Sequence, residues 1–94
     1  MYKLTKAAEK DIYDILKDSL LRFGKVQTDA YFSSLKECME LIDANPQMGV
    51  DIEFIRHGYF KFPHKGHVIY YTKKKEYLLF VRILHKSMDA DQHV

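Results

Sequence analysis

The sequence predicts an α+β domain in which a helical hairpin packs on one face of a twisted antiparallel sheet. Apolar residues recur at the three- and four-residue spacing of helices over residues 6–44, and the spacing then changes to the two-residue alternation of strands. The length of 94 residues is typical of one domain. We therefore expect residues 1–94 to form a single domain with the element order β-α-α-β-β-β.

The first half of the chain is predicted to form a short strand and two helices. Residues 2–5 alternate as a strand does, and the Thr5 hydroxyl is placed to cap the helix that follows. Gly24 ends this helix, since glycine readily adopts a positive φ. A second helix then runs to Asn45-Pro46, because the residue before proline disfavours helical geometry. The stripes expected to face the sheet are Ala8, Ile12, Ile15, Leu16, Ser19, Leu20 and Phe23, followed by Ala30, Tyr31, Ser34, Leu35, Cys38, Leu41 and Ile42.

The second half is predicted to form three strands after a loop at residues 47–55. The strands are expected over residues 57–62, 67–72 and 77–85, and short turns between them favour an antiparallel meander. Simple alternation along the last strand places Leu78, Phe80, Arg82 and Leu84 on one face, and Leu79, Val81, Ile83 and His85 on the other. Since a guanidinium is seldom buried alone, we expect the face with Arg82 to be the less covered one.

Composition argues against several classes of function. No apolar run approaches the about 20 residues of a membrane helix, and no secretory signal is expected. The single cysteine, Cys38, lies on an apolar helix stripe, which favours a buried structural thiol in a reducing cytoplasm. The histidines lack the spacing of a zinc site and no glycine-rich phosphate loop is present, so neither a metal nor a cofactor is expected.

Charge is divided unevenly along the chain. Residues 1–55 contain seven Lys or Arg and ten Asp or Glu, a balance of −3. Residues 56–86 contain eight Lys or Arg and only one acid, Glu76, a balance of +7. Such a basic half favours an acidic partner, either a nucleic acid or an acidic protein segment. For the lysine run at residues 73–75, a merely solvated turn is the alternative.

Two residues of the last strand are candidates for function. Arg82 is either the partner of a carboxylate or a binding group on an open face, and the shortage of acids around it in the sequence favours binding. His85 is either a general acid or base near neutral pH or a strand-end histidine bonded to the backbone. The aromatic residues between the bases are typical of a small core, and alternatively of a surface that stacks nucleotides.

Two segments in this half are distinctive. Residues 56–63 read Arg-His-Gly-Tyr-Phe-Lys-Phe-Pro, and residues 82–89 read Arg-Ile-Leu-His-Lys-Ser-Met-Asp. Together with Leu4-Thr5, Ala7-Ala8, Asn45-Pro46 and Gly49, they resemble the ParE toxins of bacterial type II toxin–antitoxin modules, within the RelE/ParE superfamily. The resemblance covers nearly the whole chain.

This resemblance implies a plasmid- or chromosome-borne toxin that inhibits DNA gyrase and is neutralised by a ParD-like antitoxin, whose C-terminal segment wraps around it. It implies no enzymatic activity, hence no catalytic residue, and nucleic-acid contact only through a gyrase–DNA complex. The residues expected to shape the target- or antitoxin-binding surface are Arg56, Tyr59, Lys61, Arg82, His85, Lys86, Ser87 and Met88.

Two alternatives stay open. The related RelE-type toxins cut messenger RNA on the ribosome, so a ribosome-dependent endonuclease is the second reading of the same residues. A relative that has lost toxicity and only binds an antitoxin is the third.

Overall fold

Five strands and three helices account for most of the chain, and the computed structural model describes all of residues 1–94. The elements are strand β1 (Tyr2–Leu4), helices α1 (Lys6–Phe23) and α2 (Lys25–Ala44), a 3-10 turn (Pro46–Met48), strands β2 (Val50–Asp51), β3 (Tyr59–His64), β4 (His67–Lys73) and β5 (Leu78–His85), and helix α3 (Ala90–His93). The α+β class and the predicted element order are confirmed. β2, in the predicted loop, and α3, in the tail, are additions. Neither long helix is apolar enough to cross a membrane.

The strands form one sheet in the order β1-β5-β4-β3-β2. β3, β4 and β5 are antiparallel neighbours, as the short turns predicted, and β2 adds antiparallel to β3. β1 is different, because it pairs parallel to β5 with Tyr2 opposite Leu78. The predicted antiparallel arrangement therefore holds for the meander, whereas the parallel pairing of β1 was not predicted. The physical reason is that the meander leaves an edge at β5, whose unpaired backbone groups β1 satisfies.

β1 covers only the first three residues of β5, and the start of α1 continues the cover. The Thr5 N–H donates to the Phe80 carbonyl at 3.0 Å, and the Thr5 hydroxyl donates to the Val81 carbonyl at 2.7 Å. The same hydroxyl accepts the Ala8 N–H at 3.0 Å, so it caps α1 as predicted. One side chain thus joins the beginning of the helical hairpin to the edge of the sheet.

The helical hairpin closes at Gly24 and buries fewer residues than its stripes predicted. Gly24 has φ 85° and ψ 178°, a region that only glycine readily enters, so the predicted stop is confirmed. The residues beside this connection are solvent-exposed although they belong to the predicted stripe, with Leu20 51% and Phe23 58% exposed. On α2, Leu41 is likewise exposed, whereas Met39 is buried in its place.

A bulge in β5 overturns the predicted alternation of that strand. Phe80 lies opposite Tyr71 and Arg82 lies opposite Tyr70, so Val81 is an extra residue without a cross-strand partner. Leu78 and Phe80 therefore share the helix-facing side with Ile83, although simple alternation separated them. The helix-facing core consists of Ala8, Leu35, Met39, Ile42, Ile69, Tyr71, Leu78, Phe80 and Ile83.

The opposite side of the sheet carries a much smaller core. Its buried members are Ile52, Tyr70 and Leu84, and partly buried residues around them include Tyr59, Ala90 and Val94. Arg82 lies on this side, because its cross-strand partner is Tyr70. The prediction that Arg82 occupies the less covered face agrees with this arrangement, and the cover comes from the segment after β2 and from α3.

Cys38 and Gly49 both serve packing. Cys38 is half-buried against the helix-facing core, and burial raises the pKa of its thiol. A Cβ on Gly49 would clash with the Tyr71 hydroxyl, which donates to the Pro46 carbonyl at 2.7 Å. Glycine is needed at this position because the loop after α2 closes directly on the tyrosine.

Candidate functional site

A groove of about 900 Å³ lies between the helical hairpin and the end of the sheet where β4 begins and β5 finishes. α1 forms one wall, and His67, His85 and Met88 belong to the other. The α1 wall carries Asp14 and Asp18, each of which is ion-paired to a base on its own helix. The groove therefore combines an internally neutralised acidic wall with a wall of histidine and apolar side chains.

Arg82 lies at the base of this groove and is bound to a carboxylate. Its Nε and Nη2 each donate to an oxygen of Asp11 at 2.8 Å, a two-pronged geometry that suits guanidinium and carboxylate. The Arg82 and Asp11 side chains are only 23% and 13% exposed, and the hydrogen bonds that Arg82 donates to Asp11 raise the pKa of the guanidinium. The preference for a free binding arginine was therefore wrong, because the shortage of acids nearby in the sequence does not restrict contacts across the fold.

Asp11 is a functional candidate that the sequence did not reveal. Besides the guanidinium, it accepts the Ile83 N–H at 3.0 Å, just beyond the part of β5 that β1 covers. Asp11 thus neutralises the Arg82 guanidinium and also accepts a hydrogen bond from a backbone N–H of β5. A lone acid on a helix carries no signal of this, since its partner Arg82 is 71 residues away in sequence.

Three of the five histidines meet at the groove end of the sheet. His64 and His67 face each other across the β3–β4 turn, and the rings of His67 and His85 are 5.8 Å apart. The Tyr31 hydroxyl lies 2.8 Å from His67 Nδ1, and the Ser34 hydroxyl lies 3.1 Å from His64 Nε2. Spacing alone could not show this cluster, because three different strands and α2 assemble it.

Burial dominates the protonation of this cluster. It lowers the pKa of both His64 and His67, and for His67 the neighbouring His85 and His64 lower it further. Burial also raises the pKa of Tyr31 to about 12. Neutral rings of His64 and His67 and a neutral Tyr31 phenol are therefore favoured. No three His, Cys, Asp or Glu side chains are arranged to hold a metal ion.

The segment after β5 is a closed turn. The Lys86 N–H donates to the Gly66 carbonyl at 2.9 Å, and the Met88 N–H donates to the His85 carbonyl at 2.9 Å. The Ser87 N–H donates to His85 Nδ1 at 3.1 Å, so this ring nitrogen acts as an acceptor. These hydrogen bonds place Met88, which is 39% exposed, in the lining of the groove, with the exposed Lys86 and Ser87 beside it.

The other candidates lie away from the groove, on the second side of the sheet. The Arg56 guanidinium carbon is 5.0 Å from the Tyr59 ring centroid, and its Nη1 donates to the Val94 carbonyl at 3.1 Å. Arg82 Nη1 makes the equivalent contact with the His93 carbonyl at 3.3 Å. Two of the candidate arginines therefore hold the C-terminal helix.

The structure thus divides the predicted site into two groups. Arg82, His85 and Met88 line the groove, with Lys86 and Ser87 beside them. Arg56 and Tyr59 lie under the C-terminal helix, and Lys61 lies on β3 between Val50 and Tyr70.

Comparisons with known proteins agree on one family. Residues 2–90 match the sequence model of the family described as the ParE toxin of the type II toxin–antitoxin system parDE. A protein named Toxin ParE1 from Caulobacter vibrioides is 33% identical over 93 residues, covering 99% of this chain and 96% of the relative. Toxin ParE1 from Mycobacterium tuberculosis is 31% identical over 94 residues, with the same coverage.

A solved structure shows the same fold. A chain from the chromosomal ParDE TA system of P. aeruginosa superimposes with a TM-score of 0.76, covering 89% of this chain and 92% of the other. Its sequence identity is 14%, so this likeness concerns the fold alone. On the family match and the two relatives, the chain belongs to the ParE toxin family of type II toxin–antitoxin systems.

Proposed function

We propose that this chain inhibits DNA gyrase, thereby blocks DNA replication, and is neutralised by a ParD-like antitoxin. The observation that carries the proposal is the match of residues 2–90 to the ParE toxin family. The hydrogen-bonded turn after β5, which exposes Lys86, Ser87 and Met88 beside the groove, is the surface we assign to the target. An ordered surface of this kind loses little conformational entropy when it binds a protein target. Because gyrase acts on DNA in the bacterial cytoplasm, the proposal also implies that the chain acts there.

The engagement of the polar side chains supports a binding role rather than catalysis. Arg82 is neutralised by Asp11, and His67 and His85 are hydrogen-bonded through Nδ1 within the chain. General acid–base cleavage of RNA needs groups that reach the substrate in a matched protonation state. These side chains instead support the conformation of the groove and of the turn after β5.

The helical hairpin supplies a surface suited to the antitoxin. Around the Gly24 connection, Leu21 is 79% exposed and Val26 is 86% exposed, next to the exposed Leu20 and Phe23. A concentration of exposed apolar side chains at one connection is a candidate patch for a protein contact. An amphipathic antitoxin segment would cover this patch, and its acidic residues would suit the basic half of the toxin.

The proposal is tested by inducing the chain without an antitoxin. The wild type is expected to stop growth, to raise the DNA-damage response and to trap gyrase on broken DNA, while transcripts stay intact. The triple variant Lys86→Ala, Ser87→Ala, Met88→Ala keeps the residues that anchor α3, and it should lose growth inhibition without a change in its melting temperature.

A matched control is the variant Lys36→Ala, Glu37→Ala on the exposed side of α2, which should remain toxic. Full toxicity of the triple variant would refute the role of the turn. Transcripts shortened within minutes of induction would instead favour the ribosome-dependent endonuclease. Harmless overproduction of the wild type would favour a chain that only binds an antitoxin.

A further inference from the structure

Four lysines gather at the end of the sheet that lies away from the groove. Lys73 ends β4, and Lys74 and Lys75 follow in the turn, which the Lys74 N–H closes by donating to the Tyr77 carbonyl at 2.8 Å. β1 brings a fourth, because Lys3 lies opposite Leu79 and its Nζ is 4.5 Å from the Tyr77 ring centroid. We call Lys3, Lys73, Lys74 and Lys75 the lysine edge.

The charge of the lysine edge is not neutralised within the chain. All four lysines are exposed, and none has a carboxylate oxygen within 4.0 Å. Of the nearby acids, Asp43 is occupied by the amino group of Met1 at 2.9 Å, and Glu76, the next residue of the turn, forms no ion pair and leaves the four lysines in excess. On the helical hairpin, by contrast, Lys10 and Lys25 pair with aspartates one turn away. The edge therefore projects a positive potential toward solvent.

The surroundings of the edge suit a phosphate backbone better than an acidic protein segment. The hollow beside the turn measures only about 200 Å³. Leu21, Phe23 and Val26 are strongly exposed apolar side chains of the hairpin connection, whereas beside the edge Met1 is the exposed apolar residue. Protein partners need buried apolar anchors for most of their binding energy, whereas a polyanionic duplex is bound mainly through charge.

The lysine edge is also separate from the groove. β4 runs from His67 at the groove to Lys73 at the edge, and at about 3.4 Å per residue the two ends are roughly 20 Å apart. A partner in the groove therefore leaves the edge open, and both surfaces can be engaged at once.

We propose that the lysine edge binds the phosphate backbone of double-stranded DNA. Its use on DNA held by gyrase rests on the proposed function, whereas its binding to free duplex does not. Four phosphate contacts predict that log K falls against log salt with a slope of about −3.6. Binding at physiological salt is expected to be weak and independent of sequence.

Fluorescence anisotropy with a labelled duplex of random sequence tests this between low and physiological salt. The variant Lys73→Glu, Lys74→Glu, Lys75→Glu should lower the affinity at low salt at least tenfold and flatten the salt slope by about 2.7, the share of three contacts. The control is Lys6→Glu, Lys17→Glu, Lys36→Glu, which changes the net charge equally at exposed, unpaired lysines of the helical hairpin. It should keep the slope and most of the affinity, and melting curves establish that both variants fold.

Three results would overturn the inference: no binding of the duplex by the wild type, equal losses in the two triple variants, or displacement of the duplex by polyglutamate at equal charge concentration. Duplex binding that depends on the edge supports it even where the wild type fails to trap gyrase, in which case only the proposed function falls. Gyrase trapping without any binding of free duplex would overturn the inference about the lysine edge and would still agree with the proposed function.

Discussion

The two sides of the sheet are covered in different ways. The helix-facing side buries nine residues drawn from both helices and from β4 and β5. The second side buries three, and its cover is a loop and the four residues of α3. Apolar area holds the helices in place, whereas hydrogen bonds from Arg56 and Arg82 to backbone carbonyls help to hold α3.

Because the two cores differ in size, we expect them to contribute differently to stability and to the proposed binding surface. The large core supplies most of the stability, as expected from the apolar area it removes from water. The small core positions the C-terminal segment that follows the proposed target-binding turn. Substitutions in the polar contacts that join the two sides, above all the pair of Asp11 and Arg82, should have measurable effects on stability.

The largest expected effect compares the same residue type on the two sides. Ile42 and Ile52 are both 0% exposed, so alanine at either removes a fully buried side chain. Ile42→Ala should lower the free energy of unfolding by about 4 kcal/mol and Ile52→Ala by about 2 kcal/mol, within the range for such truncations. The thin cover at Ile52 can collapse onto the cavity, and the rigid helices at Ile42 cannot.

Urea denaturation of both variants measures these losses. Equal losses, or a larger loss at Ile52, would show that the second side is as rigidly packed as the first. The contrast between the two sides would then be one of size alone.

A smaller effect is expected from the contact that joins the two sides. Asp11→Asn removes the charge that neutralises Arg82 and should cost about 1.5–3 kcal/mol, the contribution of a hydrogen bond to a charged group. It should also loosen α3, so the amide hydrogens of residues 90–94 should exchange faster.

Asp14→Asn is the matched control on the same helix, since Asp14 is 54% exposed and pairs only with Lys10. Its effect should stay below about 1 kcal/mol, as for other surface ion pairs. A loss of stability at Asp11 without faster exchange at α3 would mean that the ion pair anchors β5 to α1 and does not position the tail.

The smallest effect is a dependence of stability on pH. Because the pKa values of His64 and His67 are lowered in the folded state, the unfolded chain binds protons more readily. The contribution of these two histidines to the free energy of unfolding is therefore fully present above about pH 6.5 and is lost as the pH falls below it. His67 faces Tyr31, His64 and His85, and the adjacent Lys65 adds positive charge to the cluster.

Melting temperatures at pH 7.5 and 5.5 measure this loss in the wild type and in His67→Gln. The variant keeps a side chain that can bond to Tyr31 but removes the titrating ring, so its melting temperature should fall less on acidification. An equal fall in both proteins would assign the pH dependence to other groups.

Local patterns predicted much of the fold. The Thr5 cap, the Gly24 stop and the end of α2 at Asn45 depend on neighbouring residues, and each is found where the sequence placed it. The stripes were less accurate at their ends, because the exposure of Leu20, Phe23 and Leu41 depends on how far the sheet extends beneath the helices. Periodicity gives the direction of a side chain but not what covers it.

The sequence by itself determined the element order, the basic second half and the two segments that resemble the ParE family. Only the tertiary structure decided the parallel pairing of β1, the bulge at Val81, the histidine cluster and the Asp11–Arg82 pair. Helix caps and turns arise from interactions within a few residues. Register and ion pairs arise between residues as far as 76 apart, where each side chain has many alternative partners until packing selects one.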